Sequence, residues 1–218
     1  THLASSAASD VYKRQDNRLT WDAHIKYISQ KISKSVSILR MLKYTCPTNA
    51  LKTIYHSLIY PYYTYCNLIW GSAANTHLEP LVLLQKKCIR IISKAGYFDH
   101  TESLFSEHKV LTVKEMYSYN CSKFIYQCYN NSNYLYFKNK LKRNNDFHNY
   151  KTRDSNLLRP PFTRLHKFTH SFLPKGIHMW NLIPERIKSS KSFDTFKIKA
   201  KKYIYIYTRD QEHLLTCL

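Results

Sequence analysis

Apolar residues recur at three- and four-residue steps in segment after segment, and that periodicity commits most of the chain to amphipathic helices. Ile25, Ile28, Ile32, Val36, Leu39 and Leu42 form the first stripe and predict a helix over 22–44. Lys26, Lys34 and Lys43 lie off it. Cys46-Pro47-Thr48 interrupts the pattern, with Thr48 the expected N-cap of the next helix. This second helix is predicted over 49–70, with Leu51, Ile54, Tyr55, Leu58, Tyr62, Tyr65 and Ile69 inward. Pro61 should kink it and Gly71 should end it. A third is predicted over 77–94, with Leu81, Leu84, Cys88, Ile91 and Ala95 inward and Gly96 just past its end. A short helix over 102–108 and a longer one over 113–129, aligning Met116, Asn120, Phe124 and Cys128, complete the series. Only 3 glycines punctuate the 218 residues, which argues against a tight-turned β fold and against a phosphate-cradling Gly loop.

The composition shifts near Asn130. Asn144-Asn145 and Pro160-Pro161 predict loops, and residues 162–173 a short extended element. A short helix over 176–182 carries Trp180. A last helix over 192–207 sets Phe193, Phe196, Ala200, Tyr203 and Tyr207 on one side and Lys199 and Lys202 opposite. The expected architecture is mainly α: a helical bundle over 16–130, then a basic, partly irregular region over 131–218 with a terminal amphipathic helix. Residues 1–15 are small and polar, unlike the rest, and are read as a non-native or disordered leader.

Charge narrows the partners. Lys and Arg number 34 against 14 Asp and Glu, a formal net charge of +20. Such a field draws polyanions, with nucleic acid first and an anionic membrane surface second. Hydrophobic residues, at 44%, exclude wholesale disorder. No apolar stretch has the length of a transmembrane segment. The 6 cysteines form no Cys-x-x-Cys pair and read as small buried hydrophobes in a reducing compartment. An intracellular place, nucleus or cytoplasm, is therefore expected.

Two basic sets are candidates for nucleic-acid binding. Lys86, Lys87, Arg90 and Lys94 fall on one face of the third helix, which either tracks a phosphate backbone or is simply solvated. Lys138, Lys140, Lys142, Arg143, Arg153, Arg159, Arg164 and Lys167 are interleaved with Tyr134, Tyr136, Phe137, Phe147, Tyr150 and Phe162. Cations beside rings suit single strands, whose bases stack. The other reading is a basic linker whose aromatics pack on the bundle. Tyr60, Tyr62, Tyr63, Tyr65 and Trp70 are read as core rather than as a stacking platform, and Trp180 as a packing anchor. His166 and His170 are spaced to share a metal on a helix, but no third ligand accompanies them, so no metal or other cofactor is expected.

Several blocks, in order, carry a family likeness. They are Asp16-Asn17-Arg18-Leu19-Thr20-Trp21-Asp22-Ala23-His24-Ile25, the aromatic run Ile59-Tyr60-Pro61-Tyr62-Tyr63-Thr64-Tyr65-Cys66-Asn67-Leu68-Ile69-Trp70-Gly71, and Leu84-Gln85-Lys86-Lys87-x-x-Arg90-Ile91-Ile92. Three more lie further on: His148-Asn149-Tyr150-x-Thr152-Arg153, Met179-Trp180-Asn181-x-Ile183-Pro184 and Phe193-x-x-Phe196-Lys197. Together they resemble the thumb and C-terminal tail of reverse transcriptases from jockey-like non-long-terminal-repeat retrotransposons. The resemblance implies a thumb that grips primer–template and a tail that helps hold RNA, with RNA or an RNA–DNA hybrid as partner. It also implies the polymerase palm as a protein partner.

The departures bound what carries over. Residues 11–15 read Val-Tyr-Lys-Arg-Gln where that family has a Leu-Gly-Val-x-Ile strand, and no Asp-Asp pair occurs in the sequence. Phosphoryl transfer with two metals needs closely placed carboxylates. The expectation is a piece of a polymerase that is not an enzyme by itself. The alternative is an independent helical adaptor for a protein partner or an anionic membrane surface.

Overall fold

The computed structural model describes residues 19–147, 152–162, 164, 168 and 171–216. Residues 1–18, which hold the expected leader and the start of the first family block, lie outside them, as do His148, Asn149, Tyr150, His166, Lys167, His170 and Cys217. The fold is mainly α. Among the described residues no strand forms, and Arg143 and Leu158 make an isolated antiparallel bridge. The chain divides into two compact units, Thr1–Val113 and Lys114–Leu218.

In the first unit, α1 (Asp22–Met41) buries Ile25, Ile28, Ile32, Val36 and Leu39, five of the six residues in the sequence stripe. Leu42 is the C-cap and only half-buried. α2 (Thr48–Ile54) starts with Pro47 at its N-cap, so Thr48 is the first helical residue and caps nothing. The chain then runs through a π turn (Tyr55–Ile59) into α3 (Tyr60–Thr64).

The π turn corrects the expected inward face. Beyond Tyr55 the buried positions are Ile59, Tyr63, Asn67 and Trp70, while Leu58, Tyr65 and Ile69 are exposed. One extra residue per turn moves every later side chain round by one position. The cause is Pro61. In an unbroken α-helix its ring would collide with the carbonyl four residues back, and the wider turn relieves that clash. The predicted single helix over 49–70 also breaks at Tyr65 (φ −63°, ψ 121°) and Cys66 (φ 50°), leaving α4 (Asn67–Trp70) as a separate turn. Cys66 is exposed there, against expectation, whereas Cys88, Cys121 and Cys128 are buried. Burial pushes the Cys88 and Cys121 thiols up to about 12.

α5 (Asn75–Ile92) packs against α1. Its buried set includes Leu78, Leu81, Cys88 and Ile91, with Gln85, Ile89 and Ile92 added to the predicted stripe. Gln85 is a buried amide whose nitrogen and oxygen both find partners. Its Nε2 donates to the Leu111 carbonyl at 2.8 Å and to the Tyr55 hydroxyl at 3.2 Å. Its Oε1 accepts from the Val113 amide at 3.0 Å. The side chain thus fixes the segment after α6 (Glu102–His108) onto α5.

Lys94, not Gly96, terminates α5. Lys94 takes φ 56°, and no glycine in the described residues has positive φ. The Lys94 amide donates to the Ile91 carbonyl at 3.1 Å and the Ala95 amide to the Arg90 carbonyl at 3.0 Å, the paired bonds of a Schellman end. A side chain in this conformation costs about 1–2 kcal/mol, and glycine gives part of that back in the unfolded chain. Lys94→Gly should therefore raise stability by about 0.5–1 kcal/mol in a thermal melt of the full chain. A fall in stability would show that the lysine side chain carries contacts that outweigh the strain.

In the second unit, α7 (Val113–Asn130), α9 (Phe172–Leu182), α10 (Glu185–Lys188) and α11 (Phe193–Thr216) surround an aromatic core, with the short α8 (Leu135–Lys138) following α7. Tyr126 stacks on Phe196 with ring centroids 4.2 Å apart, and Trp180 lies 5.9 Å from Phe196. The Tyr126 hydroxyl donates to the Ser190 carbonyl at 2.7 Å, and the Tyr203 hydroxyl to the Leu182 carbonyl at 2.7 Å. The composition shift at Asn130 is the end of α7, yet Ile125, Tyr126 and Cys128 of that helix share one core with Trp180 and Phe196. Phe172 and Leu173, read as extended from sequence, open α9.

Candidate nucleic-acid interface

Each unit carries one of the two basic sets. In the first unit, Lys86, Lys87 and Arg90 lie on α5 away from Leu81, Cys88 and Ile92, and all three are half-buried. Leu83, exposed, completes the same face one turn earlier. Lys94 does not extend this row. It sits past the helix end in the left-handed conformation, exposed.

Arg90 has a structural duty as well. Its Nε donates to the Asp99 carbonyl at 2.9 Å, while the Asp99 carboxylate accepts from the Gly96 amide at 2.7 Å. Lys43 Nζ donates to the Ala95 carbonyl at 3.0 Å. These bonds hold the turn after α5 and leave its tip outward: Tyr97 and Phe98 are 68% and 89% exposed, with rings 4.9 Å apart and nearly perpendicular. This pair was not among the candidates read from sequence. The available signal was two adjacent aromatics between Gly96 and Asp99, off every helical stripe. The aromatic run resolves largely as expected, with Tyr63 and Trp70 buried, the Tyr63 hydroxyl donating to the Leu81 carbonyl at 3.1 Å and Trp70 Nε1 to the Tyr65 carbonyl at 2.8 Å. Tyr65 is the exception, at 73% exposed.

In the second unit, the loops of the basic region are pinned together. The Arg159 amide donates to the Lys142 carbonyl at 2.8 Å and the Asn144 amide to the Leu157 carbonyl at 3.0 Å. Asn181 of α9 clamps the pair from below: its Oδ1 accepts from the Leu158 amide and its Nδ2 donates to the Leu158 carbonyl, at 3.0 and 2.8 Å. The clamp brings Lys142 and Arg159 to the same exposed ring, Phe147, at 5.9 and 4.7 Å from its centroid. Lys140 lies 5.7 Å from the exposed Tyr136 ring and Arg143 lies 5.8 Å from Tyr129.

Arg153 and Arg164 are exposed without a ring or acid beside them among the described residues. The interleaved aromatics divide. Tyr134 and Phe137 pack edge-to-face on Phe124, while Tyr136, Phe147 and Phe162 face outward. Among the described residues no three His, Cys, Asp or Glu side chains come together as a metal site, and no helix is long and apolar enough to cross a membrane.

Comparison with known proteins gives three informative relatives, all from Drosophila melanogaster. The chain is 28% identical over 112 residues to the "Probable RNA-directed DNA polymerase from transposon BS", covering 50% of this chain and 12% of that protein. It is 33% identical over 100 residues to the "RNA-directed DNA polymerase from mobile element jockey", covering 44% and 11%. For the "Probable RNA-directed DNA polymerase from transposon X-element" the figures are 29% over 102 residues, 45% and 11%. About half of this chain is thus a region related to jockey-like reverse transcriptases, and it spans about a ninth of those relatives' length. No family model matches the chain, and no solved structure matches it.

Proposed function

We propose that this chain, half of it related to jockey-like reverse transcriptases, serves as a grip on nucleic acid rather than as a polymerase. The partner is RNA or an RNA–DNA hybrid, held mainly through its phosphates and without sequence choice. The carrying observation is the pinned tail, where Lys142 and Arg159 converge on the exposed Phe147 ring. That is the pairing of cation and stacking surface that single strands favour. Lys86 and Lys87 on α5 supply a second contact with phosphates, with Lys94 beyond it. The polymerase palm is the second proposed partner, and the absence of an Asp-Asp pair from the sequence supports a non-catalytic role. The proposed place of action is the nucleus or cytoplasm.

The test is binding of the full chain to a single-stranded RNA and to an RNA–DNA hybrid, measured by anisotropy across a salt series. Binding should weaken steeply as salt rises. Lys86→Glu with Lys87→Glu should flatten the log–log salt slope by about two, one per lost phosphate contact. Arg90 is kept in this variant because it holds the turn through Asp99. A folded sample with no affinity at low salt overturns the reading, and an unchanged slope removes α5 from it. The adaptor alternative draws on Ile198, 73% exposed beside Lys199 on α11. Flotation with anionic vesicles that RNA does not compete away would favour it.

A further inference from the structure

The second unit contains a pocket of about 430 Å³ whose lining includes Tyr129, Arg143, Asn156, Trp180, Glu185 and Lys188. Its volume is that of an ordinary small-ligand site. Its floor is a parallel ring pair, with Tyr129 stacked on the buried Trp180 at 5.8 Å and 10°. Tyr129 is only half-buried, and Arg143 shares its ring, with the guanidinium 5.8 Å from the centroid.

The cations of the pocket are unusual. The Lys188 side chain is 10% exposed, with its ammonium 5.8 Å from the Trp180 ring. Its acid, Glu185, stands 3.7 Å away with 81% of its side chain in solvent, a loose partner for a nearly buried charge. That ion pair is with an exposed acid, so it offsets only part of the cost of desolvating the ammonium. Lys188 is held below the usual lysine range by burial first; Glu185 works against that shift, and the neighbouring Arg143 charge adds to it more weakly. Arg143 is itself steadied by a hydrogen bond with Tyr129, which raises its affinity for the proton. Two converging cations beside a backed aromatic ring make a place for an anion joined to a flat ring.

We propose that this pocket takes one unpaired nucleotide of an RNA strand. The base stacks on Tyr129, the phosphate lies between Arg143 and Lys188, and the Asn156 amide offers a donor and an acceptor to the base edge. The inference rests on the nucleic-acid reading above and assigns it a specific site.

The test uses the full chain and the indole N–H resonance of Trp180, identified by its loss in Trp180→Phe. Adenosine 5′-monophosphate should shift that resonance saturably, and inorganic phosphate should need about tenfold higher concentration. Lys188→Gln should weaken the nucleotide response by about tenfold or more. Arg143→Gln, at an exposed position, should do so too and guards against a folding defect in the first variant. Binding of a single-stranded oligonucleotide is measured in parallel. If the oligonucleotide binds but the nucleotide leaves Trp180 unmoved, the pocket is overturned and the general grip stands. If the nucleotide moves Trp180 but no oligonucleotide binds, the general grip is overturned and the RNA-strand assignment of the pocket falls with it, leaving a site for free mononucleotides. A phosphate response equal to that of the nucleotide overturns base recognition.

Discussion

Replacing Gln85 with alanine should lower the stability of the first unit by about 3–5 kcal/mol, read as a shift of its urea midpoint. Two losses add. The core loses the volume of a side chain that is 1% exposed, and the Leu111 carbonyl and Val113 amide lose their partners. A buried backbone group left unmet costs about 1–3 kcal/mol. Tyr55→Phe is the control. It deletes only the 3.2 Å contact to Gln85, which keeps its bond to Leu111, so about 1 kcal/mol is expected. Gln85→Glu should be as damaging as alanine, because a carboxylate cannot donate to the Leu111 carbonyl. A midpoint change for Gln85→Ala no larger than for Tyr55→Phe would mean the amide is not what fixes this segment.

Phe196→Ala should cost the second unit about 3–5 kcal/mol by the same measurement. Phe196 is fully buried, stacked on Tyr126 and beside Trp180, so its removal opens a cavity at the centre of the aromatic core. Lys199→Ala, three residues on and exposed, should change stability little. Because the chain forms two compact units, each variant should move one transition and leave the other. A single shared transition displaced equally by Gln85→Ala and Phe196→Ala would show that the units unfold together.

Periodicity made most helices legible: α1, α6 and α7 sit within a few residues of their expected places, and α1 buries nearly the whole of its predicted stripe. It failed where backbone chemistry overrode it. Pro61 was foreseen as a kink, but a kink and a π turn leave the same mark in sequence while setting different faces inward. Lys94 ends α5 although Gly96 is two residues away, since the helix hydrogen bonds run out before the glycine is reached.

The basic sets were visible as composition, but what organises them was not. Nothing in the run 142–159 announces that Asn181, more than twenty residues later, clamps Leu158. Lys188 was likewise invisible as a candidate, because only the fold brings it beside the Trp180 ring and the Arg143 charge. The Tyr97–Phe98 tip shows the same limit, since exposure is a property of the turn and not of the residue type.

The π turn also bears on how chains of this kind vary in length. Tyr55–Ile59 holds one residue more than a plain helix would need to carry Ile59 and Tyr63 inward. A relative without a proline at position 61 has no clash to relieve, and it can be one residue shorter here while burying the same side chains. Deletion at this point and loss of the proline are thus compatible as a pair, whereas deletion alone returns the ring to the carbonyl it was spared. Against such a shorter relative, a gap-free match across this segment would put Leu58 opposite a core residue and shift the inward positions that follow.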